Sequence, residues 1–218
     1  MFVDSNVIDF FAKEMVLVKI NAEADSMLKK RYRISGYPTL VLANKDGIEI
    51  DRIVGYLPAD TFLKTLRDYS NGIGTLDDLL GRAETETGRS LYYEIANKYK
   101  YRGAPAEAET WFGRVIEAGN PRDSLSGKSR MAIADMFRRA KDYDQALDEY
   151  NQIMIDFEGT MTAQNGEIYR AITYRQKGDT SDAITAFEGF IMHYPESKDT
   201  TYALKQIEKL KSTGEEDN

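Results

Sequence analysis

The sequence predicts two unlike folded parts in one chain: a small α/β part over residues 1–72 and an all-α helical solenoid over residues 89–212. Three observations carry this. Residues 1–72 alternate amphipathic helical stretches with β-rich runs grouped around an Asp46-Gly47 turn. Residues 89–212 hold no convincing strand, and their helical pattern repeats. Between them, residues 73–88 are rich in Gly and Thr and read as a linker.

Taken in order, Val7, Ile8, Phe10 and Phe11 fall within one amphipathic helix, with Asp4 or Ser5 placed to cap it. Met15–Ile20 (MVLVKI) reads as a short, mostly buried strand. Glu23–Arg33 is helical and carries Met27, Leu28 and Tyr32. Thr39–Ala43 is β-rich, and Asp46-Gly47 is the strongest turn dipeptide in the chain. In Ile48-Glu49-Ile50-Asp51 apolar and charged residues alternate, which predicts one buried and one wet face. Pro58 then starts a helix reaching about Tyr69.

In the second part three segments superpose. Ala108, Ala146 and Ala183 are spaced 38 and 37 residues apart, each followed four residues later by Phe112, Tyr150 or Phe187. Each segment predicts a helix, a tight turn and a second helix. Small residues at Ala96, Ala134 and Ala171 let the paired helices approach, and the aromatics, Trp111, Phe137 and Tyr174 among them, fill the space between neighbours. A last helix over about 199–211 caps the stack, and residues 213–218 form an acidic tail.

Composition narrows the chemistry. The 218 residues include no cysteine and one histidine, His193. Disulfides, thiolate metal sites, cysteine nucleophiles and dithiol redox chemistry are excluded for these residues, and so is a multi-histidine metal site. No catalytic residue, metal ligand or cofactor site is expected, and His193 reads as a surface or capping residue. The formal charge is −7, and −3 falls in each of segments 73–88 and 213–218. Both folded parts are therefore close to neutral, and nucleic acid is not an expected partner. No apolar run approaches the length of a membrane span, so no membrane insertion is expected. The compartment stays open: a chain starting at Met1 reads as soluble and cytoplasmic, and a segment before it would admit a periplasmic or secreted location.

The second part resembles a tetratricopeptide repeat (TPR) array. Its pattern is matched by Tyr92-x2-Ile95-Ala96-x2-Tyr99, by Ile133-Ala134-x2-Phe137 and by Ala171-x2-Tyr174-x3-Gly178-x4-Ala183-x3-Phe187, the last continuing through Phe190, Tyr194 and Pro195. The F-x3-YP-x-S ending is similar to units of bacterial envelope and assembly proteins. The second unit departs from the pattern, with Arg130 at the first aromatic position and Lys141 at the turn glycine. The resemblance implies a peptide-binding face on the first helix of each unit. It falls on Tyr93, Asn97, Lys100 and Tyr101, then Met131, Asp135 and Arg138, then Ile168, Ile172 and Arg175. This mixed aromatic and basic set suits an extended partner of some acidic character. It does not match the carboxylate clamp of chaperone-binding members, which have lysine where Tyr93 and Asn165 stand.

The first part resembles the C-terminal two-thirds of a thioredoxin-like domain. The carrying residues are Val16–Ile20, Ile34-Ser35-Gly36-Tyr37-Pro38-Thr39-Leu40, Asn44-Lys45-Asp46-Gly47 and Arg52-Ile53-Val54-Gly55. The resemblance implies a cis Pro38 and an extended partner segment docking on Tyr37, Pro38 and Thr39. The family's preceding strand and C-x-x-C motif would lie just before Phe2 and are not in this sequence. As written, the chain is expected to be redox-inactive and not an enzyme: a scaffold pairing a thioredoxin-like module with a TPR peptide-binding array. The lost strand would lie between those matching 15–20 and 39–43. Its absence leaves unpaired strand edges, open to direct pairing, to a homodimer, or to residues preceding Met1. In the third case the chain is part of a thiol–disulfide oxidoreductase.

Overall fold

In the computed structural model, which describes residues 2–216 with side chains through Ser212, the chain divides into two compact units, Met1–Trp111 and Phe112–Asn218. In the first, α1 (Ser5–Glu14) starts at Asp4, whose carboxylate accepts from the Asn6 and Val7 amides. A short α2 (Ser26–Arg31) follows, capped by Asp25. Strands β1 (Thr39–Ala43) and β2 (Glu49–Val54) form a two-stranded antiparallel hairpin across the Asn44–Gly47 turn, where Gly47 takes φ +71°. Helix α3 (Ala59–Ser70) turns Phe62, Leu63 and Leu66 onto Val7 and Phe10 of α1 and Ile53 of β2, forming the apolar core of this part.

The Met15–Ile20 run is not a strand. It joins no ladder, and Val16 is 92% and Val18 68% exposed. Its composition suits a strand, but a strand is held by a neighbour's backbone groups, and no described residue offers them here. The linker expected over 73–88 also needs correction. It contains α4 (Leu76–Arg82), capped by Thr75, and Leu76 and Leu79 cluster with Leu91 and Ile95 of α5 (Arg89–Tyr101).

The predicted wet face of β2 is buried as well. Asp51 is 0% and Arg52 7% exposed. One Asp51 oxygen accepts from the Leu76 amide at 2.8 Å and from Lys98 Nζ at 2.7 Å; the other accepts from Arg102 at 3.1 Å. Arg52, on the opposite face of the strand, donates to the backbone oxygens of Tyr32 and Tyr101, both at 2.8 Å, and to Glu49. Asp51 thus places an anion at the N-terminus of α4, and Arg52 places a cation at the C-terminal ends of α2 and α5. Lys98 Nζ also donates to the Tyr69 hydroxyl oxygen at 3.1 Å and lies over its ring. The α/β part therefore shares one buried ionic network with the first helix of the repeat region, and the division between units falls inside α6 (Pro105–Glu117) rather than at 73–88.

The second unit is helical throughout its described residues: α7 (Ser124–Ala140), α8 (Tyr143–Asp156), α9 (Met161–Lys177), α10 (Thr180–His193) and α11 (Thr200–Glu216). Each neighbouring pair packs through the anchors read from the repeat. Ala134, Ala146 and Tyr150 share one cluster with Ile153 and Phe157; Ala171, Ala183 and Phe187 share another with Phe190, Ala203 and Ile207. Gly127 lets α7 approach its neighbours, since an added Cβ would sit 2.8 Å from Thr162 Oγ1 and 3.1 Å from Phe157. Arg130, at the aromatic position of this unit, pairs with Asp156 and reaches Glu149 at 3.4 Å, so its stem fills the site while its head binds α8. The side chains of the acidic tail, 213–218, lie outside the described residues, and the α11 backbone runs on to Glu216.

Lys141 occupies the left-handed region at φ +65° as the C-cap of α7, where Gly178 stands in the following unit at φ +95°. A β-carbon there costs about 1 kcal/mol. Lys141→Gly is therefore expected to raise the unfolding free energy by about 0.5–1 kcal/mol, read as a higher urea midpoint at unchanged m-value. A lower midpoint would show that the lysine is not strained.

Candidate functional site

Two regions hold the residues the sequence singles out. The first is the loop between α2 and β1. The Tyr37–Pro38 peptide bond is cis, Pro38 is exposed, and its carbonyl accepts from the Gly55 amide at 2.8 Å. Thr39 donates through Oγ1 to the Gly36 carbonyl at 2.8 Å, tightening the turn. The Tyr37 ring is 60% exposed, with Lys29 Nζ 5.8 Å from its centroid. Tyr37 and Pro38 are thus exposed and Thr39 half-buried, on a backbone tied to the hairpin through Pro38 and Gly55.

The second region is the first helix of each repeat. On α5, Tyr93 and Asn97 are half-buried, and Asn97 Nδ2 donates to the Tyr93 carbonyl at 2.8 Å. Lys100 lies over the ring of Tyr101, which is 42% exposed and whose carbonyl is held by Arg52. In the second unit, Asp135 on α7 binds Arg138 and, at 2.6 Å, Arg139. Arg138 extends to Gln176 Oε1 on α9 at 2.8 Å and lies over the Tyr169 ring. Arg175 on α9 donates to Gln206 on α11. Tyr169 in turn stacks on Tyr150, centroids 6.1 Å apart. Burial, and then the negative charge of Asp135, hold the Tyr150 hydroxyl well above the ordinary phenol range.

The structure does not bring every predicted residue to this surface. Ile168 is 5% exposed and belongs to the core with Ala171, Phe187 and Ala203. Met131 and Ile172 are half-buried against the two cores. The repeat register marks position 168, but the exposed ring is one residue on, at Tyr169. Arg139, Tyr169 and Gln176 contact Asp135 or Arg138, and each stands one residue after a position that the repeat register marks. His193 ends α10 half-exposed, its Nδ1 2.9 Å from Glu167, which is itself buried. No group of metal-ligating side chains assembles among the described residues.

Residues 2–70 match the family model of a thioredoxin-like domain, and residues 168–197 match that of the tetratricopeptide repeat. Among solved structures, the chain is similar to nearly identical TPR-like repeats of a Podosopora anserina kinesin light chain. The identity is 13%, covering 69% of this chain and 83% of that one, with a TM-score of 0.51. A single-substitution variant of those repeats gives 12% identity over 74% and 90%, with a TM-score of 0.52. These identities establish likeness of fold. The chain thus carries a thioredoxin-like domain match at its N-terminal end and a TPR match within a helical array of TPR-like fold, and TPR repeats generally mediate protein–protein interaction. No helix among the described residues is long and apolar enough to cross a membrane.

The separation of core from surface is testable. Ile168→Ala is expected to cost about 2–5 kcal/mol in chemical denaturation. Arg175→Ala, half-buried and outside the apolar core, should stay within about 1 kcal/mol of the parent. Similar losses for both would mean that Arg175 is a structural residue.

Proposed function

We propose that the chain is a protein-interaction scaffold without redox activity of its own. It docks extended segments of other proteins on the α7–α9 face and on the Tyr37-Pro38-Thr39 loop. The observation that carries this reading is the posture of Arg138. Its guanidinium is held by Asp135 on its own helix, by Gln176 across the helix pair and by the Tyr169 ring beneath. A cation fixed in this way loses little further freedom when a partner's acidic or carbonyl group arrives, which favours binding. Arg139 adds an exposed charge beside it, and Tyr169 a flat apolar surface. On α5, Tyr93, Asn97, Lys100 and Tyr101 offer a further set of the same mixed character.

A second reading is a thiol–disulfide oxidoreductase whose cysteine pair is supplied by residues outside this sequence. Its support is the exposed Val16–Ile20 run and the absence, among the described residues, of a second neighbour for β1.

The scaffold reading predicts that a display of short extended peptides will yield binders enriched in Asp and Glu. Arg138→Ala combined with Arg139→Ala should weaken the best of them by about tenfold, measured by calorimetry at a temperature where circular dichroism shows the variant folded, its melting temperature being lowered by loss of the Asp135 and Gln176 contacts. Unaltered affinity would remove the α7–α9 face from the site. Insulin reduction by the purified chain should equal the blank, because no thiol is present.

A further inference from the structure

Four cations stand within five residues at the end of α2: Lys29, Lys30, Arg31 and Arg33, all exposed. Arg31 is turned inward, donating to the Gly47 carbonyl at 3.0 Å. The other three have no acidic partner among the described residues; Lys19, Lys45 and Lys128 have none either, but here the unpaired cations stand together. The C-terminus of α2 does not account for the cluster. A helix end carries about half a negative charge at most, and Arg52 already donates to the Tyr32 carbonyl there.

Apolar surface lies alongside. Lys29 stands over the exposed Tyr37 ring, and Tyr37 closes a shallow cavity of about 240 Å³ with Ile20, Asn21, Ala22 and Glu23. The chain entering that cavity from its N-terminal side is the exposed Val16–Ile20 run, and Met27 on α2 is 81% exposed. Exposed apolar side chains at this density mark an interaction surface rather than ordinary solvated surface.

We propose that this surface docks an extended protein segment carrying both acidic and apolar side chains. The proposal deepens the docking reading of the Pro38 loop, on which it rests for Tyr37, by naming the chemistry of its partner. The cavity edged by Tyr37 and Ile20 takes an apolar side chain, and Lys29 and Lys30 take the acidic ones. Glu23, the acid at the cavity rim, orients the segment so that its carboxylates lie toward α2. A nucleic acid fits less well. Its phosphates would take the cations but have nothing to bury on the exposed Val16, Leu17 and Ile20.

The test uses the full chain and a fluorescein-labelled ten-residue peptide of alternating Glu and Val, read by anisotropy at low and high salt. The peptide is expected to bind, more weakly as salt rises. The double variant Lys29→Glu, Lys30→Glu should lose at least about tenfold in affinity. Val16→Ser with Val18→Ser should also weaken binding, and the Lys–Val counterpart peptide should not bind. Circular dichroism melting confirms that both variants fold. Three results would overturn the proposal: no binding of the Glu–Val peptide, a Lys29→Glu, Lys30→Glu variant within about twofold of the parent, or an oligothymidine that binds as tightly as the peptide. If binding is lost only on Arg138→Ala with Arg139→Ala, the α2 surface is refuted while the docking reading of α7–α9 stands.

Discussion

The first unit depends on two adjacent residues of one strand. Asp51 and Arg52 point to opposite faces of β2, and both are buried. Between them they bind the ends of three helices: the N-terminus of α4 through the Leu76 amide, and the C-terminal carbonyls of α2 and α5 through Tyr32 and Tyr101. A two-stranded hairpin is marginal by itself. Here it is held because removing Asp51 would take the shared carboxylate from the Leu76 amide, Lys98 and Arg102, and removing Arg52 would take the donor from the Tyr32 and Tyr101 carbonyls. The desolvation cost of burying these ions is offset by the number of hydrogen bonds each one makes. One Arg102 nitrogen is left buried with no partner, so the network as a whole is cation-rich.

This has a consequence for the repeat region. Lys98 and Arg102 belong to α5 and its C-cap, so the first repeat helix takes its partners from the α/β part as well as from α4. The second unit is built on repeat logic, with small residues at helix crossings and aromatics between them. Where its sequence leaves the pattern, charge compensates. Arg130 replaces an aromatic and anchors to Asp156 and Glu149, and Arg138 bridges α7 and α9. In both units, arginine heads that would be costly to bury alone are satisfied by carboxylates and carbonyls of the neighbouring helix.

Much of the fold is legible in the sequence. Helical periodicity, the Asp46-Gly47 turn and the spacing of Ala108, Ala146 and Ala183 are local signals, and all three alanines are fully buried. What escapes is set by partners distant in the chain. The alternation in Ile48–Asp51 reads as half wet because nothing local reveals that Lys98 and Arg102 will cover Asp51. Met15–Ile20 has the composition of a strand, but pairing is a property of two segments. The candidate faces follow the same division. Tyr37 is found on the surface from its motif alone, whereas Arg138 lies at its helix face with a side chain only 10% exposed. Ile168 is not on the surface, because its burial is set by a core shared with residues of α10 and α11 later in the chain.

The most direct measurement is on Asp51→Ala, by urea unfolding together with amide hydrogen exchange. If the strand's charge pair holds the first unit together, the variant loses about 3–5 kcal/mol and the Leu76 amide loses its protection. A loss below about 1 kcal/mol with Leu76 still protected would contradict this, and would mean that apolar packing of α1, α3 and α4 suffices without the buried charges.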